Sequence, residues 1–149
     1  MINITMRPPR IAAVFTFLAA ASHGLWVLLD GPHYSLFWIG VVSGNAGFFI
    51  MMWAWFLFKR FDLAVCPLAP TMNILMQGPY RFSRNPMYLG MVLMLLGLAA
   101  GMGTPPFYLS AIAFFAVMNR IFCPYEEDKL IKAFGEEYRS YAKRVRRWI

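Results

Sequence analysis

Charge is scarce in this 149-residue sequence: Asp, Glu, Lys and Arg make up only 14% of it, and just seven residues are acidic. With 60% hydrophobic residues and a mean hydropathy of +0.53, that scarcity excludes an ordinary soluble domain and makes a membrane protein the default. Cysteine is nearly absent, and Cys66 and Cys123 form no CxxC pair, which argues against a disulfide framework. The two histidines, His23 and His33, have no second ligand at a metal-binding spacing, so both are expected to be structural or interfacial and no metal site is expected. GxGxxG, P-loop and HExxH motifs are all missing, which leaves a Rossmann-type cofactor site, a nucleotidase and a zinc protease unsupported.

What is present is a set of long apolar runs. They cover about 11–29, 37–58, 87–101 and 107–123, with the ten prolines and eleven glycines concentrated near their ends. The first two are long enough for a bilayer core of about 30 Å at about 1.5 Å per residue. The first run is also too long for a cleavable signal and lacks a small-residue cleavage site before Asp30, so it is expected to stay as a helix. Gly101-Met102-Gly103-Thr104-Pro105-Pro106 has the turn residues of a tight hairpin between the last two. The expected fold is all-α and integral to the membrane, a single domain with four transmembrane helices.

Charge placement orients it. Arg7 and Arg10 precede the first run, and Lys59, Arg60, Arg81 and Arg84 lie between the second and third. Lys129, Lys132, Arg139, Lys143, Arg144, Arg146 and Arg147 follow the last, while the other two connections carry no Lys or Arg. By the positive-inside rule both termini and the middle segment 59–86 are cytoplasmic. The net charge of +7 then reports orientation and contact with anionic headgroups, and no stacked-aromatic basic motif points to nucleic acid. The compact chain suggests a bacterial inner membrane, and its oligomeric state is not readable.

Two cytoplasmic pieces remain. Segment 59–86 is long for a connection in so small a protein, which marks it as functional. In the tail, 124–149, Pro124 is placed to start or kink a helix. Ile131, Phe134, Tyr138, Tyr141, Val145 and Trp148 then step by three and four residues, the pattern of an amphipathic helix interrupted at Gly135.

Several side chains in these pieces can carry chemistry. Gly78-Pro79 and Asn85-Pro86 force two turns, and Pro86 suits the first turn of a helix whose free N–H groups, helped by Arg84, can receive a carboxylate. The same spacing fits a plain helix cap with snorkelling arginines. Glu126 and Glu127 are adjacent carboxylates beside an anionic surface and call for a cationic or hydroxyl partner, or else they simply open the tail helix. Arg120, beside Asn119 and about a turn inside the fourth run, is a functional candidate by depth or a snorkelling residue. Ser43 and Asn45, with Gly40, Gly44 and Gly47, form a small-residue face suited to close helix packing.

Taken together, GPYRFSRNPMYLG, the apolar hairpin and EEDKLIKAFGEEYRSYAKRVRRW resemble the isoprenylcysteine carboxyl methyltransferase and phospholipid methyltransferase family over about residues 64–149. The resemblance implies S-adenosylmethionine as cofactor, in a cytoplasmic pocket between the loop before the third helix and the tail. Carried over by position, its contacts are Met72, Asn73, Ile74, Leu75, Tyr80, Asn85, Pro86, Met87, Tyr88 and Glu126, with Tyr138, Tyr141 and Arg144 in the wall; Arg84 and Glu127, beside them in sequence, are expected to bind it as well. It also implies a lipid or lipophilic substrate reaching the methyl group from the bilayer. Two departures stand out: Asn85 replaces the family histidine and cannot act as a general base, and Phe122 stands where the prenylcysteine enzymes have a substrate-handling arginine. Arg120 is the residue available to take that role, which makes Arg120 and Glu126 the pair expected to serve the reaction. A catalytically silent membrane module of this fold, or an NADPH-dependent membrane reductase, are the alternatives.

Overall fold

A computed structural model describes residues 8–61 and 74–149, and among them every regular element is helical. Arg7, Cys66, Met72 and Asn73 lie outside the described residues. Helix α1 is Pro8–Leu28 and α2 is Phe37–Arg60; α3 is Pro86–Met102 and α4 is Pro105–Val117. Prolines open α1, α3 and α4, where a missing N–H costs nothing because the first amides of a helix have no internal acceptor. Lys59 and Arg60 close α2, where cations face the negative end of the helix dipole.

The hairpin between α3 and α4 is tighter than the sequence indicates. Only Gly103 and Thr104 separate the helices, because Gly103 adopts φ +65° and donates its N–H to Ala99 O at 2.8 Å. The α1–α2 connection satisfies the remaining carbonyls at that end. Tyr34 N donates to Gly103 O at 2.9 Å, Leu36 N to Ala100 O at 2.8 Å and Ser35 Oγ to Gly101 O at 2.6 Å.

Glycine governs the pairing of α2 with α3. A Cβ on Gly47 would stand 2.6 Å from Gly90 O and 2.8 Å from Met94 N, so the two antiparallel backbones touch, as the small-residue face implied. Ser43 and Asn45 take no part in it; they bond back to Ile39 O and Val41 O of their own helix, both at 2.7 Å. Overpacking such a contact costs about 1–3 kcal/mol. Gly47→Ala is therefore expected to lower the melting temperature in detergent, whereas Gly24→Ala, with nothing within 4 Å of its added Cβ, is expected to be neutral or slightly stabilising.

On its other face α3 packs with α4, and α1 lies against α4. Tyr88, Met91, Val92 and Leu95 meet Ala111, Phe114 and Met118, and Phe15 of α1 sets its ring edge-on to Phe114 at 6.2 Å. Outward, α1 and α2 present large apolar side chains such as Phe17, Leu28 and Trp38, each more than 70% exposed. Among the described residues three helices are long and apolar enough to cross a membrane: α1, α2 and a continuous 30-residue stretch, Pro105–Phe134. Helix α3 is equally apolar but has 17 residues.

The stretch Pro105–Phe134 departs from the expected stop at Cys123. Helix α4 passes through a π segment, Met118–Phe122, into α5, Cys123–Phe134, so the fourth run and the start of the tail are one rod. Pro124 supplies the physical reason. It has no N–H for the regular ladder, and the backbone accommodates it by widening just before it, with Cys123 N bonding Met118 O five residues back. Nor is the tail one helix to its end. Gly135, at φ +53°, splits it into α5 and α6, Glu136–Arg144, and from Val145 the chain is non-helical, with bends at Val145 and Arg147. Val145 and Trp148, which continue the helical spacing in sequence, are outside any helix.

Candidate active site

Just before α3 the chain makes a 3-10 turn, Gly78–Arg81, with Pro79 at its start. The turn buries Tyr80 against the Phe58 ring at 5.5 Å, and the Tyr80 carbonyl accepts the Tyr141 hydroxyl at 2.7 Å. Ser83 and Asn85 follow, both buried. Ser83 Oγ accepts the Asn85 N–H at 3.2 Å and donates to Arg147 O at 3.1 Å. Asn85 Nδ2 donates to the same carbonyl at 3.4 Å, and Arg84 N donates to Arg146 O at 3.0 Å. The loop and the end of the chain thus lie side by side, more than sixty residues apart in sequence.

Asn85 occupies the position before α3 but no side chain caps the helix, and Pro86 offers no N–H. Leu89 N bonds Asn85 O at 3.0 Å, and the Met87 and Tyr88 amides before it have no acceptor within the helix. Close by, Arg84 Nε is buried with no hydrogen-bond partner among the described residues. Both observations describe donors in need of an anionic acceptor.

The two neighbouring glutamates have separate partners. Glu126 accepts a hydrogen bond from the Tyr88 hydroxyl of α3. Glu127, its side chain only 15% exposed, faces two guanidinium groups: Arg147 grips both its oxygens, Nε to Oε1 at 2.8 Å and Nη2 to Oε2 at 2.7 Å, and Arg84 Nη1 lies 3.2 Å from Oε1. The charge-assisted fork with Glu127 holds Arg147 above the ordinary guanidinium value. Burial raises the Tyr80, Tyr138 and Tyr141 phenols above theirs, so all three are neutral hydroxyls. Arg84 Nη1 also reaches the Tyr138 hydroxyl at 3.5 Å.

The structure brings together Tyr80, Arg84, Asn85, Pro86, Tyr88, Glu126, Glu127, Tyr138 and Tyr141, with Ile74, Leu75 and Met87 partly buried in the same region of chain. Arg120 projects from the π segment, exposed and without an ion pair to any described residue. Arg144 is exposed as well and turns back to Ser140 O of its own helix at 3.3 Å, outside the cluster. His23 is at the other end of the bundle, its Nδ1 3.0 Å from Thr104 Oγ1. Among the described residues no group of side chains could hold a metal ion. Sequence reasoning passed over Ser83, Arg147 and Trp148. Arg147 lay hidden in a basic run that reads as headgroup contact, and Ser83 carried no signal beyond its place between two arginines.

Residues 34–137 match the family described as phospholipid methyltransferase. The chain belongs to the phospholipid methyltransferase family. Its motif Arg84-Asn85-Pro86-Met87-Tyr88 and the pair Glu126-Glu127 both fall within the matched stretch. Among curated proteins, it is 37% identical over 76 residues to protein-S-isoprenylcysteine O-methyltransferase B of Arabidopsis thaliana, covering 49% of this chain and 37% of that protein. A probable protein-S-isoprenylcysteine O-methyltransferase of Oryza sativa subsp. indica is also 37% identical over 76 residues, covering 49% of this chain and 38% of the relative. A Haemophilus influenzae protein of uncharacterized function is 40% identical over 63 residues, 42% of this chain and its own full length. The match therefore spans well under half of each plant methyltransferase. No solved structure matches the chain.

Proposed function

We propose that this protein is an integral membrane methyltransferase that uses S-adenosylmethionine to methylate an amphiphilic acceptor drawn from the bilayer. Family membership supports the transferase class, and the two plant relatives carry methyltransferase names. The observation that carries the reading is the junction of the loop 83–85 with residues 146–147, where the uncapped start of α3, whose Tyr88 holds Glu126, adjoins Arg84, which pairs with Glu127 and keeps a buried Nε without a partner among the described residues. These donors fit the carboxylate of a methionine moiety, and Glu126 fits its ammonium group or a ribose diol.

The reading takes α3 as a fourth crossing beside the three long apolar helices. Helix α3, at about 1.5 Å per residue, reaches about 25 Å, within the range for a short span, and lies antiparallel along α2. Both basic segments then fall on one side, the cytoplasmic side of a bacterial inner membrane.

When bound, S-adenosylmethionine supplies a methyl group on a sulfonium, which an acceptor takes by in-line displacement. Asn85 and the start of α3 hold the amino-acid end, Glu126 the polar groups, and the faces of Tyr80 and Tyr88 line the walls near positive charge. Tyr80, Asn85 and Tyr88 are buried, which keeps water from the site. Asn85 cannot take a proton, which favours an acceptor atom that is already nucleophilic: a carboxylate oxygen, a thiolate or an unprotonated amine.

Isothermal titration of the purified protein with S-adenosylmethionine tests the cofactor, and saturable binding is expected; its absence, in protein shown to be folded, contradicts the proposal. Incubating lipid extracts with radiolabelled methyl donor then identifies the acceptor. Arg120, the exposed cation of the π segment, is assigned to the acceptor's polar head. Arg120→Ala is expected to lower kcat/KM for the acceptor by about tenfold or more while leaving donor affinity within about twofold. Equal losses for both substrates would remove Arg120 from that role.

A further inference from the structure

Arg147 connects three separate pieces of the molecule. Its guanidinium forks onto Glu127 of α5, while Nη1 reaches Asn119 O at 3.3 Å and Asn119 Oδ1 at 3.2 Å in the π segment. Its backbone carbonyl accepts from Ser83 Oγ and Asn85 Nδ2 in the loop before α3. The Asn119 carbonyl needs an outside donor for a local reason. In the π register its amide partner would be five residues on, and that residue is Pro124, which has no N–H. Trp148 completes the arrangement, donating Nε1 to Asn119 Oδ1 at 3.0 Å and stacking on Phe115 at 4.7 Å between centroids.

One consequence concerns Asn85. Its Nδ2 donates to Arg147 O, so the orientation of the amide is tied to the position of the chain end. A second consequence concerns Arg120, the immediate neighbour of Asn119, whose stretch of backbone is held by the same guanidinium.

We propose that Arg147 is a positioning residue: its side chain anchors the chain end on Glu127 and the π segment, and so places its backbone carbonyl to orient Asn85, fixing the donor side and the acceptor side of the site through one residue. This rests on the functional reading above, and it concerns how the site is held, which the family assignment does not address.

The test uses the full chain in detergent micelles with Arg147→Ala and Arg147→Lys, and Arg139→Ala as a control, since Arg139 pairs only with Glu136 on the exposed surface. Lysine keeps a charge near Glu127 but cannot form the fork and reach Asn119 at once. Without any donor present, hydrogen exchange at residues 83–85 is expected to accelerate at least tenfold in both variants and to stay unchanged in the control. With donor, KM for S-adenosylmethionine is expected to rise at least fivefold in Arg147→Lys even where its melting temperature matches the wild type. Unaltered exchange at 83–85 in both variants would overturn the proposal. So would full recovery of exchange and KM by lysine, since charge alone would then suffice. A wild-type protein that binds no S-adenosylmethionine would sink the functional reading, while the exchange experiment would still decide whether Arg147 positions this junction.

Discussion

Glu126→Ala is expected to abolish binding of S-adenosylmethionine while leaving the protein folded and inserted. A hydrogen bond to a charged group is worth about 1.5–3 kcal/mol, and loss of two such contacts weakens affinity on the order of a hundredfold or more. Alanine also strips the Tyr88 hydroxyl of its acceptor inside the bundle, at about 1–3 kcal/mol of stability. Glu126→Gln separates the two effects because the amide oxygen still accepts from Tyr88 while the charge is gone. In titration calorimetry the Gln variant should bind as weakly as Ala, yet melt close to the wild type. Wild-type affinity in Gln would mean that the carboxylate charge has no part in holding the donor.

The neighbouring substitution should behave in the opposite way. Glu127→Ala leaves the guanidinium groups of Arg84 and Arg147 without their shared counter-ion in a site where the Arg84 side chain is only 15% exposed. Removing one partner of a buried ion pair costs about 3–5 kcal/mol, and the partial exposure of Arg147 places this case near the lower end. A large fall in melting temperature is expected, with release of the chain end from the loop. Thermal unfolding in detergent checks it, and an unchanged midpoint would show that the ion cluster adds nothing. Two consecutive carboxylates are thus assigned different work, Glu126 to the ligand and Glu127 to the frame.

Much of this frame could be read before any coordinates. The turn residues Gly103 to Pro106 gave the hairpin, the glycines of α2 gave its close partner surface, and Pro86 gave the start of α3, because each is a local steric demand written in residue type. The need of Glu127 for a cation was also visible from charge alone. Its answer was not, since Arg84 and Arg147 reach it across 43 and 20 residues and nothing in a basic run distinguishes the one that turns inward. The tail misled for a physical reason: Val145 and Trp148 keep a three-and-four spacing, but hydrogen bonds from Ser83, Arg84 and Asn85 hold that stretch against the loop and out of a helix. The π segment leaves no trace in hydrophobic periodicity. Its one signal was Pro124 inside a continuous apolar rod, which obliges an upstream carbonyl to find another donor.

The most direct measurement is ultraviolet crosslinking of radiolabelled S-adenosylmethionine to the wild-type protein, followed by peptide mapping. Label is expected in peptides spanning Tyr80–Leu89 and Glu126–Tyr141, and absent from the α1–α2 connection at the far end of the bundle. Label confined to that far end, or no specific label on folded protein, would contradict the assignment of the donor to the junction of loop and tail.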